Sequence, residues 1–166
     1  AMHAPWLISL AAGLVVGGLS QVSRLCTVGG FRDLFLFKKS VLIFGYLAVL
    51  VGVFVVNISF GNFHLGFENQ PIAHTDGLWN FLGMALAGFC SVLLGGCPLR
   101  QLIMTGEGNS DSAVTVLGLA AGAAFAHNFG LAASGAGPTL NGQIAVGVGF
   151  VVALIIAVVN TKRVNA

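Results

Sequence analysis

Charge is what this sequence most conspicuously lacks. Seven basic and five acidic side chains among 166 residues leave 7% charged, against about 25% in soluble domains. So few charges cannot clothe a water-facing surface, and that excludes an ordinary soluble fold. The basic residues form no dense patch, so the net charge of +2 gives no reason to expect a nucleic-acid partner. Cysteine is also scarce. Three thiols, Cys26, Cys90 and Cys97, cannot all pair with one another. Their spacing fits neither a CxxC pair nor a Cys/His zinc pattern, so neither metal nor cofactor is expected. A basic leader is missing as well. The apolar stretch after Trp6 runs on through Leu19 into glycine-rich sequence, unlike a signal peptide. The opening Ala1-Met2 reads as a scar of cloning or as the edge of a cleaved fragment.

What is present in quantity is apolar. Hydrophobic residues make up 57% of the chain, with 24 glycines and 13 phenylalanines. Small residues of this kind let helices approach closely within a membrane bundle. The expected fold is all-α, a polytopic membrane helix bundle forming a single membrane domain over 1–166. About five spans are expected, each of about 20 residues, near Trp6–Ser23, Ser40–Phe60, Leu78–Leu94, Ala113–Ala133 and Gly142–Asn160. Arg24, Arg32, Lys38 and Lys39 follow the first of these, Arg100 the third, and Lys162 and Arg163 the fifth. The connections after the second and fourth have no Lys or Arg. Positive-inside bias then puts the N-terminus outside and the C-terminus in the cytoplasm. Gly61 through Pro71 reads as an outside loop. Gly13/Gly17 and Gly118/Gly122 have the spacing of close helix packing.

The sequence echoes itself weakly between 13–60 and 83–133. A glycine-rich helical run leads to Cys26-Thr-Val-Gly-Gly-Phe-Arg32 in one copy and to Cys97-Pro-Leu-Arg100 in the other. Around the second cysteine, Gly95, Gly96 and Pro98 forbid a continuous helix. The following Leu99, Leu102, Ile103 and Met104 nevertheless stay apolar. Broken backbone at membrane depth is tolerated only inside protein or beside a cavity. A short re-entrant helix beginning after Cys97 would aim amide N–H groups at the break, a setting that suits an anion. Two ordinary cytoplasmic loops with small packing cysteines fit the same residues equally well.

The Leu-Cys-Thr-Val-Gly-Gly-Phe-Arg-Asp run at Cys26 and the Gly-Gly-Cys-Pro-Leu-Arg-Gln run at Cys97 resemble the YeeE/YedE family of bacterial membrane proteins. The resemblance extends from about Gly13 to Lys162. It implies import of thiosulfate or, in one branch, of selenium species, with loops plunging into the membrane and cysteines handling the ion in turn. Carried over, it marks Cys26 and Cys97 as substrate-binding, in motifs that also hold Arg32, Gly95, Gly96, Pro98, Arg100 and Gln101. Family members have two homologous halves, and this chain resembles one. An odd number of spans would set a second such unit upside down, giving an inverted repeat. The expected partners are therefore the sulfur or selenium anion, a second inverted half and a cytoplasmic sulfur-carrier protein. The expected location is the bacterial inner membrane.

Two further residues join the candidates. Cys90 would share a helix face with Cys97 and reads mainly as packing. His127, placed within the fourth span, is polar material at membrane depth. Glu107 and Asp111 read as a solvated loop that caps the fourth helix. Two rival functions exist: a non-conducting structural or regulatory subunit, and an intramembrane hydrolase built on Ser134 and His127. The second lacks an orienting third group, and an enzyme is not expected.

Overall fold

The computed structural model describes residues 5–61, 63, 66 and 74–164. The Ala1-Met2 opening and most of the expected outside loop, including Asn62 and Pro71, lie outside the described residues. Among the described residues seven helices follow in order, and most boundaries have a local cause. α1 (Trp6–Ser23) starts after Pro5, whose carbonyl accepts from the Ile8 and Ser9 amides at 3.0 and 3.1 Å. It stops at Arg24, which turns left-handed (φ 50°) while the Leu25 N–H bonds back to Ser20 O at 3.3 Å. α2 (Thr27–Phe37) follows at once and is closed by left-handed Lys38. α3 is Val41–Ser59 and α4 is Gly77–Leu93.

Gly95 (φ +75°) ends the α4 segment, and Pro98, which has no amide to offer, opens α5 (Pro98–Gly106) at the one place a helix tolerates it. α6 (Ser110–Asn128) is capped by Asn109, whose Oδ1 accepts from the Ser112 N–H at 2.9 Å. The cap is therefore Asn109, with Asp111 already inside the first turn. Gly130 (φ +63°) follows α6, so the helix stops short of the Ala133 expected from sequence. Thr139 caps α7 (Leu140–Val164), accepting from Gly142 N at 3.0 Å and donating to Gly130 O at 2.6 Å.

Among the described residues four helical stretches are long and apolar enough to cross a membrane: Trp6–Phe37, Val41–Ser59, Gly77–Gly106 and Leu140–Thr161. α6 has the length, at 19 residues, but a more polar sequence. The burial pattern is that of a protein solvated by hydrocarbon. Among the described residues the buried side chains are small or polar, namely Ser20, Ser91, Gln101, Ser112, Cys97 and Ala153. Large apolar side chains such as Trp6, Leu14, Val22 and Phe35 stand exposed. In water that surface would collapse or aggregate; against lipid it is at rest. The chain is a multi-pass membrane protein of helices.

The chain divides into two compact units, residues 1–53 with 96–116 and residues 54–95 with 117–166. In the first, α5 packs against α1. In the second, α4 runs against α7, so closely that a methyl group on Gly149 would meet Leu86 Cδ2 at 2.7 Å. The Gly13/Gly17 and Gly118/Gly122 pairs, read as packing devices, have open space where a Cβ would stand.

Candidate functional site

The first unit holds the two motif cysteines, and they do the same structural job. Cys26 is the residue before α2 and Cys97 the residue before α5; both are extended, with φ, ψ of −149°, 117° and −69°, 161°. Each carbonyl accepts the first helical bond, from Gly30 N at 2.8 Å and from Gln101 N at 3.1 Å. The sulfurs behave differently. Cys26 Sγ caps its own helix by accepting from the Gly29 N–H at 3.3 Å. Cys97 Sγ makes no bond to α5. Cys97 lies in the same compact unit as Cys26 and is buried there. Each cysteine thus stands at a helix N-terminus, which presents amide N–H groups and a positive dipole end.

The surrounding residues leave little slack. Gly30 is buried, and its α-carbon faces the backbone of Leu42 and Ile43 at the start of α3, 3.6–3.7 Å from where a Cβ would stand. Beneath Cys26 lies a void of only about 10 Å³, lined by Thr27, Gly30, Leu42, Ile43 and Tyr46. That is at or below the least a water needs. Gly96 is buried beside the Arg100 stem and the Gln101 amide, each 3.5 Å from its would-be Cβ. Cys97 is 8% exposed and Gln101 5%, whereas Cys26 is partly open.

Arg100 is the nearby cation, and its charge is loosely held. Nη1 is buried without a hydrogen bond and stands 3.7 Å from Glu107 Oε1, beyond hydrogen-bond range. Glu107 was read only as loop. Its signal in the sequence is a base in the first turn of a nine-residue helix and an acid just past its end. Arg32, by contrast, is exposed on α2 and engaged by its neighbour, with Nε and Nη2 at 3.1 and 3.0 Å from Asp33 Oδ1. Pro98 is exposed and serves to start α5.

The remaining candidates belong to the second unit. Cys90 lies on α4 and lines an open groove of about 1100 Å³ with Leu93, Phe125, Val148 and Ala153. The groove is almost wholly apolar and offers a dianion no compensation for lost water. His127 sits in the last turn of α6 and is exposed. Ser134 spends its hydroxyl oxygen on a turn, accepting from Ala136 N at 3.3 Å. Among the described residues no three His, Cys, Asp or Glu gather as metal ligands would.

The paired motifs have a counterpart among known proteins. A family model described as sulphur transport matches residues 22–164. The chain belongs to that family, the YeeE/YedE proteins. Both cysteine loops lie inside the matched region. The thiosulfate transporter TsuA of Escherichia coli (strain K12) is 29% identical to this family member over 106 residues. That match covers 61% of the present chain and 28% of TsuA. No solved structure matches.

Proposed function

We propose that this chain is one half of a membrane transporter that imports thiosulfate, or a related sulfur- or selenium-containing anion, past the thiols of Cys26 and Cys97. The observation that carries the reading is that two cysteines from separate motifs each occupy the N-cap of a short helix within one compact unit. Thiosulfate has a soft terminal sulfur, and a neutral S–H can donate a weak hydrogen bond to it. Cys26 Sγ accepts from amides, which leaves its own proton free to point at an ion. Neutral thiols do not repel a dianion, and weak successive contacts let it leave again. Helix N-termini supply the positive potential without a fixed charge that would trap it. Arg100 and Gln101 follow Cys97 in α5, and Arg100 is the residue we assign to attracting the anion.

The match to 28% of TsuA supports a complementary unit elsewhere. With five spans per half, that unit would lie inverted, so the full pathway would have cysteine loops entering from both faces. In this reading the loops carrying Cys26 and Cys97 enter from the cytoplasmic side of the inner membrane, where a sulfur-carrier protein is the expected recipient. The test is thiosulfate uptake by the complete assembly carrying Cys97→Ser or Cys97→Ala. Serine, a weaker match to a soft sulfur, should transport poorly and alanine not at all. Wild-type uptake by both variants would remove Cys97 from the pathway. Competition by a selenium analogue decides between the two chalcogens.

A further inference from the structure

In the second unit α4 packs against α7, and a cavity lies between the first turns of the two helices. Its walls include neither motif cysteine. We propose that this cavity is a further binding site, taking a small oxyanion of the thiosulfate class on the outer face of the protein. The identity of the ion rests on the transport reading above, and the face on the distribution of basic residues.

The void measures about 270 Å³. At about 30 Å³ per water, it has room for a small ion with part of its hydration shell. The polar side chains on its walls are His74, Trp79, Asn80 and Gln143. The Trp79 indole N–H can only donate, and the His74 ring and the Gln143 amide each bring a donor. Asn80 is committed: its Nδ2 donates to His74 O at 3.2 Å, which ties His74 to the first turn of α4. His74 Nδ1 is buried without a hydrogen bond. A buried nitrogen left unpaired is unfavourable and marks a place where a ligand or a water belongs.

The helix ends add to this. Thr139 already caps α7. Asp76, the residue before α4, gives that helix no side-chain cap. The first-turn amides of α4 and its positive dipole end are therefore left to an occupant of the void. Gly83, Leu131, Pro138 and Val146 make the rest of the wall apolar. Thiosulfate has the same two characters, oxygens that need donors and a soft sulfur that tolerates apolar surface. Apart from His74 no ionisable side chain lines the cavity. Asp76 stands next to it in the chain, exposed, and its charge opposes an anion. With 17 residues in α4, about 25 Å along the axis, the cavity is at the opposite end of that helix from the Gly95 break.

The experiment measures binding of radiolabelled thiosulfate to the purified full chain in lipid nanodiscs. In Cys26→Ser/Cys97→Ser the ion should still bind, because neither cysteine lines the cavity. His74→Leu and Gln143→Leu each remove a donor to a charged ligand and should weaken that binding by about tenfold or more. Asp76→Asn removes an opposing exposed charge and should tighten it by up to about fivefold, a gain that a misfolded variant cannot imitate. Sulfate, with oxygen in place of the soft sulfur, should compete more weakly than thiosulfate. No binding to the double cysteine variant, unchanged affinity in both leucine variants, or weaker binding in Asp76→Asn would overturn the site. Equal competition by sulfate would overturn its preference for sulfur. Uptake by the complete assembly separates the two readings: a cavity that binds the ion in an assembly that imports none would sink the transport reading and leave the site standing.

Discussion

Replacing Glu107 with glutamine tests whether Arg100 works for the anion. In the structure the guanidinium has one nearby counter-charge, 3.7 Å away and not hydrogen-bonded. A charge pair at that distance is worth ~4 kcal/mol at an effective dielectric of about 20. The two side chains are 23% and 35% exposed, so solvent screens much of this. A discounted ~1 kcal/mol remains, equivalent to about fivefold in an equilibrium constant. An arriving anion must compete with Glu107 for Arg100 and overcome that amount. Glu107→Gln removes the competitor at constant shape. The half-saturation concentration for thiosulfate uptake by the complete assembly should therefore fall about fivefold, and Glu107→Asp should stay near the wild-type value. Arg100→Gln should raise it, and should make the Glu107 substitution silent in the double variant. An unchanged or higher half-saturation in well-expressed Glu107→Gln would refute the assignment of Arg100 to the anion.

Further outcomes follow from the backbone and from topology. Gly95→Ala places a side chain at φ +75° with no neighbour to clash; the cost is conformational alone, ~1–2 kcal/mol, read as a lower melting temperature in detergent. Gly142→Ala drives a methyl group to within 2.6 Å of the Leu131 carbonyl, which cannot rotate away. A loss of ~1–3 kcal/mol is expected, while Gly118→Ala, facing open space, should be neutral or stabilising. A green fluorescent protein fused after Ala166 should fluoresce and alkaline phosphatase there should stay inactive; the reverse would overturn the orientation read from Arg24, Lys38 and Lys162.

Much of the fold was legible because its causes are local. The first span was placed at Trp6–Ser23, the residues α1 occupies, since Pro5 and the apolar run fix its start. The break at Gly95–Pro98 needed only the knowledge of what glycine and proline allow. The fourth span was drawn too long because Phe129 and Leu131 kept the sequence apolar past the Gly130 stop. His127, read from the sequence as polar material at membrane depth, lies in the last turn of α6.

By itself, the sequence determined that this is a membrane protein, where its helices break, and that a cysteine stands at each of two matching breaks. Those properties follow from hydrophobicity and backbone sterics within a few residues, which no distant contact can reverse. Only the tertiary structure decided that Cys26 caps its own helix through sulfur while Cys97 does not, that Asp33 occupies Arg32, and that Glu107 is what Arg100 faces. These depend on where side chains end up once helices pack and short side-chain partners compete, and spacing along a chain carries no record of that competition.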